Sequence, residues 1–86
     1  MSLRGKKYWI VGASEGLGRE LVMALSKLGV ELVISARNED RLIELASITG
    51  AKVLTLDVTN KKAVKLAGES IGPLDGVILL LVFTLQ

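Results

Sequence analysis

Apolar positions along the chain switch repeatedly between short runs and helical stripes. Residues 7–11 form an extended, apolar run suited to a buried strand, whereas residues 19–28 repeat apolar side chains at helical spacing. In that second stretch Leu21, Ala24, Leu25 and Leu28 recur at i, i+3, i+4 and i+7, and Leu17 extends the stripe one turn earlier. Lys27 suits the last turn of this helix and Gly29 its C-cap. Residues 30–35 are rich in β-branched side chains and predict a second strand. Asn38 then predicts the N-cap of a helix through Ser47, with Leu42, Leu45 and Ala46 buried.

Gly50 interrupts the chain before a third predicted strand over residues 51–56. A helix over residues 60–71 places Val64, Ala67 and Ile71 on one face and Lys61, Lys62 and Lys65 largely away from it. Gly72-Pro73 stops that helix, and residues 76–83 predict a fourth strand. The order β-α-β-α-β-α-β, with connections this short, predicts a Rossmann-like, doubly wound α/β fold: a parallel sheet with right-handed crossovers and helices on both faces. No repeat, low-complexity tract or linker divides residues 1–86, which read as a single domain, with Met1, Ser2 and Leu3 left outside the expected fold.

The glycines of Val11-Gly12-Ala13-Ser14-Glu15-Gly16-Leu17-Gly18 fall at the first strand-to-helix turn. There, missing side chains let phosphates approach the backbone, and a helix N-terminus offers unpaired N–H groups and a partial positive charge. The expected ligand is the pyrophosphate of a dinucleotide. Ser14 can hydrogen-bond a phosphate or ribose, and the amides near Leu17 face the pyrophosphate. Glu15 adds negative potential to the same loop, so its side chain is expected to face solvent or to pair with Arg19 or Arg37. The spacing is G-x-x-x-G-x-G, distinct from the general G-x-G-x-x-G dinucleotide pattern.

An acidic residue at the end of the second strand would bond a ribose 2′-OH and repel a 2′-phosphate. This chain has Ala36 and then Arg37, whose planar guanidinium suits bidentate phosphate contact, so NADP(H) is expected over NAD(H). The competing use of Arg37 is a surface pair with Glu39 or Asp40.

Composition narrows the partners. Half of the 86 residues are apolar and only three are aromatic, so Val, Leu, Ile and Ala must build the core. Eleven Lys and Arg against nine Asp and Glu leave a net charge of +2 with both signs scattered, which does not point to a nucleic-acid partner. With no cysteine and no histidine the chain has no disulfide, thiol nucleophile or thiolate metal site, and a cytoplasmic location is consistent. No signal-peptide pattern follows the basic N-terminus, and the apolar run over residues 77–83 is far shorter than the ~20 residues of a membrane helix, so no membrane partner is expected.

Three segments in order, Gly12-Ala13-Ser14-Glu15-Gly16-Leu17-Gly18, then Ser35-Ala36-Arg37-Asn38, then Leu56-Asp57-Val58-Thr59, resemble the N-terminal half of a short-chain dehydrogenase/reductase, over residues 6–77. The resemblance implies that Asp57 recognises the adenine amino group, with the backbone of Val58 contributing, and that Arg37 and Asn38 lie at the adenosine end. It also implies a catalytic serine, tyrosine and a lysine four residues after that tyrosine. None can be assigned here: Tyr8 is the only tyrosine, lies in the first strand and is followed four residues later by Gly12. Where the family carries Asn-Asn-Ala-Gly, this chain has Leu79-Leu80-Leu81-Val82, which alters the nicotinamide end.

The resulting expectation is the cofactor-binding portion of an NADP-dependent oxidoreductase interconverting an alcohol and a ketone or aldehyde. The chain is expected to stop short of the catalytic half, to bind dinucleotide weakly or not at all and not to turn over alone, and to self-associate through its exposed fourth strand. The alternatives are a catalytically inactive dinucleotide-binding or regulatory module, and a structural fragment whose glycine turn is architectural.

Overall fold

A computed structural model describes residues 2–13 and 16–80. Strand β1 (Lys7–Val11) is central, flanked by β2 (Glu31–Ser35) and β4 (Gly76–Leu79), and β3 (Lys52–Val53) lies outside β2. All pairings are parallel, in the order β3-β2-β1-β4, with Ile10 beside both Ile34 and Ile78. The expected parallel α/β sheet is therefore present.

The pleat sends alternate residues to two cores. Ile10, Leu32 and Ile34 meet Val22 of α1 (Gly16–Lys27) and Leu42 and Leu45 of α2 (Glu39–Thr49). Trp9, Val11 and Val33 meet Leu56 and Ala67 of α3 (Lys61–Ile71) on the other face. Burial from both sides explains why the middles of β1 and β2 are continuous apolar runs rather than alternating ones.

Local signals set most boundaries. Asn38 caps α2, its side chain accepting from the Arg41 amide at 3.2 Å, and Gly50 closes the helix in the left-handed region, its N–H donating to Ala46 at 2.7 Å. Asn60 caps α3 in the same way, accepting from Ala63 at 3.1 Å. Ala67 is buried on α3 and Val64 and Ile71 pack beside it, as the stripe predicts.

Four expectations are corrected. The inward face of α1 is Gly18 and Val22, with Leu21 and Leu25 packed partly beside them, whereas Leu17 is 75% and Leu28 54% exposed and Ala24 is also outside. The helix starts at Gly16, and close seating of Gly18 on the preceding turn selects the face. Helix α2 runs through Thr49 rather than Ser47. Strand β3 is two residues long rather than spanning 51–56, because its partner β2 ends at Ser35 to reach the Asn38 cap; amides of Leu54 and Leu56 still donate to Ile34 and Ala36 at 2.9 and 3.1 Å. Finally, Leu3 belongs to the fold, packed against the first core, while Gly5 donates to Gly29 at 3.0 Å.

Strand β4 is regular over Gly76–Leu79, and the Leu80 amide continues the ladder to Val11 at 2.9 Å; the remainder of the expected strand lies outside the described residues. Tyr8 lies in β1 with its ring against its neighbour Gly76, where an added Cβ would stand 2.6 Å from the ring. Among the described residues no helix is long and apolar enough to cross a membrane.

Candidate functional site

The chain reverses its direction across the sheet after β3, passing over to the far side of β1 to make β4, with α3 on the opposite face from α1 and α2. This switch falls between β1 and β4, and in open α/β sheets ligands are held at the C-terminal ends of the strands at such a point. The glycine turn after Val11, the end of β2 at Ser35-Ala36-Arg37 and the segment Leu56-Asp57 all lie at that end.

The turn is shaped by its neighbours. The Ser35 carbonyl accepts the amides of both Gly12, at 2.7 Å, and Ala13, at 3.2 Å. Those donors are therefore engaged by the sheet. Helix α1 begins at Gly16, so its first turn, Gly16 to Gly18, opens at this end of the sheet, and a helix N-terminus is where backbone amides run short of i−4 partners. Ser14 and Glu15 lie outside the described residues.

Gly12 and Gly18 are required by close approach within the protein itself. A Cβ on Gly12, which has φ +92°, would lie 2.6 Å from the Leu80 carbonyl oxygen; one on Gly18 would lie 2.5 Å from the Gly12 oxygen and 3.0 Å from Leu80 Cδ1. Leu80, at the end of β4, thus backs the turn. Gly16 differs: with φ +53° it has nothing within 4 Å of the Cβ position, so this is the glycine whose missing side chain leaves open space.

Arg37 is exposed just after buried Ala36 and makes no ion pair with another described residue. The pairing with Glu39 or Asp40 does not form, and the Glu39 carboxylate instead accepts the Thr55 hydroxyl at 3.1 Å. Arg19 engages Glu44 of α2 at 3.3 Å. Asn38 stands next to Arg37, its side chain committed to the α2 cap, and Val58 follows Asp57 half-buried against the second core.

Asp57 is exposed, and its Oδ1 accepts from the Thr59 amide at 2.9 Å and the Thr59 hydroxyl at 2.7 Å. The hydroxyl foremost and the amide next hold this carboxyl below the usual carboxylate range; slight desolvation opposes them and the Arg37 charge adds to them. A carboxyl depressed on folding stabilises the fold above its unfolded pKa and loses that contribution as pH falls through the folded value. Thr59→Val is therefore expected to move the Asp57 titration upward toward the ordinary value, checked by NMR of the side-chain carboxyl; an unmoved titration would show that Thr59 is not its main support.

Two participants are missed by sequence reasoning. Thr59 is one, although a hydroxyl two residues after an aspartate is a turn signal in its own right. Ser35 is the other: fully buried, its Oγ accepts the Trp9 indole N–H at 2.8 Å while its carbonyl holds the turn. Ser35 stands in the second of the resembling segments and ends an apolar strand with a lone hydroxyl, which are its traces in the sequence. A cavity of about 190 Å³ lined by Lys7, Lys52, Ser70 and Ile71 among others lies toward the end of α3 and the start of β1, away from the glycine turn.

Residues 6–80 match the family profile described as short chain dehydrogenase. The chain is 32% identical over 76 residues to L-xylulose reductase of Mesocricetus auratus, covering 87% of this chain and 31% of that protein. Among solved structures it resembles BdcA from E. coli, with TM-score 0.83, 27% identity, and 90% of this chain against 42% of that one. A structure of BdcA in complex with NADPH gives TM-score 0.89 and 25% identity, covering 96% of this chain and 34% of that one. The chain thus spans well under half the length of these relatives. A sequence match over nearly its whole length, on a sheet of the same topology, shows that the chain belongs to the short-chain dehydrogenase family of oxidoreductases.

Proposed function

We propose that this chain is the cofactor-binding portion of an NADP-dependent short-chain oxidoreductase that interconverts an alcohol and a ketone or aldehyde. The observation that carries the reading is Arg37, an exposed guanidinium free of ion pairs with described residues, placed where an acidic residue would otherwise reject a 2′-phosphate. NADPH is accordingly preferred to NADH.

The residues fit the phosphorylated half of that cofactor. The first-turn amides of Gly16, Leu17 and Gly18 would take the pyrophosphate, beside the space left open at Gly16, with Gly12 shaping the turn and Ser14 and Glu15 contributing from the same loop. Arg37 would take the 2′-phosphate, Asp57 the adenine amino group through its second oxygen, and Asn38 and Val58 the adenosine edge. The nicotinamide supplies hydride transfer when the dinucleotide is bound. We read residues 1–86 as one dinucleotide-binding unit, cytoplasmic, with no nucleic-acid or membrane partner. Lacking a Tyr-x-x-x-Lys pattern, residues 1–86 alone are read as a cofactor-binding portion that does not turn over substrate.

BdcA in complex with NADPH supports the cofactor class by similarity. A second reading, a catalytically inactive binding or regulatory module, is favoured by Leu80, whose aliphatic side chain presses on the turn where the family carries small and polar residues. Self-association fits the free edge of β4, which pairs with β1 alone among the described strands and exposes Val77 and Leu79 by 55% and 56%.

Titration of NADPH and NADH by fluorescence, with Arg37→Ala beside the wild type, tests the assignment. The variant is expected to lose roughly 10- to 100-fold in NADPH affinity, the range of a charge-assisted contact, with NADH changed by less than about twofold. Equal weakening for both would remove Arg37 from the 2′-phosphate.

A further inference from the structure

We propose that Asp57 sets how strongly the site prefers a 2′-phosphorylated nucleotide, by offsetting the charge that Arg37 presents to that phosphate. The inference rests on the dinucleotide reading above and adds a role for Asp57 beyond contact with adenine. The Leu56 amide donates to the Ala36 carbonyl at 3.1 Å, and the parallel register then puts Asp57 one step beyond the position opposite Arg37, so the two residues follow adjacent chain segments on the same rim, near enough for the Arg37 charge to act on the Asp57 carboxyl. Both are exposed.

The carboxylate cannot swing freely away from its neighbour. Thr59 grips Oδ1 through two hydrogen bonds, at 2.7 and 2.9 Å, and leaves Oδ2 open. Thr59 and, to a smaller degree, Arg37 also keep the group ionised. Glu39, another acid two residues after Arg37, is engaged by Thr55 at 3.1 Å. Lys61 and Lys62 begin α3 with no acidic residue in its first turn, so the positive potential near Asp57 has no closer offset on that element. A fixed negative charge beside the guanidinium weakens the attraction for a 2′-phosphate and leaves a 2′-hydroxyl nearly unaffected. The site is thus tuned for a moderate preference rather than the largest that Arg37 could give.

Calorimetric titration of the full chain with ADP-ribose and 2′-phospho-ADP-ribose tests this, since the two ligands differ only in the phosphate and neither carries nicotinamide past Leu80. Asp57→Asn keeps an oxygen for Thr59 but puts an NH2 donor where Oδ2 faces the adenine amino group, so both ligands are expected to weaken; the ratio of affinities is expected to rise in favour of the phosphorylated ligand by about fivefold at low salt, and by less as ionic strength rises. Asp57→Ser, also a turn-former, provides a second neutral variant with the same expectation. If both variants weaken the two ligands equally and leave the ratio unchanged, Asp57 contacts adenine only and the inference is overturned while the dinucleotide reading stands. If the wild-type chain binds neither ligand, the dinucleotide reading falls and takes this inference with it.

Discussion

Gly18→Ala is expected to lower stability by about 3 kcal/mol, roughly 10–20 °C in Tm for a chain of this size, and to remove nucleotide binding with it. The cause is local. The added methyl would sit 2.5 Å from the Gly12 oxygen and 2.9 Å from the Ala13 α-carbon, both backbone, so α1 must lift from the turn that it covers. On helix propensity alone the same change would be favourable by about 1 kcal/mol, so the sign of the effect separates close approach from propensity. Gly68→Ala in α3 is the matched control. Its methyl would meet only Trp9, at 3.5 Å, an ordinary contact, so Tm should hold or rise. Thermal denaturation of both variants decides the matter; a Gly18→Ala protein as stable as Gly68→Ala would mean that the helix and turn are not in contact as described.

Ile10→Ala is expected to have a comparable effect through the core. Ile10 is fully buried in the central strand, between Ile34 and Ile78 and beneath the helix layer that carries Val22. Truncation in such a site costs about 2–5 kcal/mol, including the cavity left behind. At ~0.05–0.15 kcal/mol per residue a chain this short holds only about 4–13 kcal/mol in total, so this one change removes a large share. Ile10→Val should cost about 1 kcal/mol, giving a graded pair. The single tryptophan provides the readout, since Trp9 is buried with its indole N–H on Ser35 and must shift its emission when the sheet opens. A urea midpoint unchanged by Ile10→Ala would contradict the packing of β1.

Much of the fold was legible because its signals are local. Asn38, Asn60 and Gly50 sit at helix ends for reasons that involve only the neighbouring turn, and the alternation of strands with helices leaves few topologies open. What was not legible depends on who stands opposite. The apolar stripe of α1 was read from leucines, yet a residue with no side chain, Gly18, chose the buried face, because the closest approach in the helix layer occurs there. The shortness of β3 follows from where β2 ends, and the place of Leu3 from a core that forms only after folding.

The candidate site divides along the same line. Arg37 and Asp57 could be placed at strand ends from spacing, but their adjacency could not, since it needs the ladder between Ala36 and Leu56. The glycine pattern pointed to the right turn with an incomplete reason: Gly12 and Gly18 admit Leu80 and each other, and only Gly16 opens outward.

Because the Ser35 carbonyl clasps the amides of both Gly12 and Ala13 and Leu80 braces Gly12 from the neighbouring strand, the start of the turn takes its shape from the sheet. On the proposed role a phosphate would find this corner already ordered, so little freedom would be lost on its capture. Affinity and fold integrity would then be one property there, and a variant could not loosen the sheet without also blunting recognition.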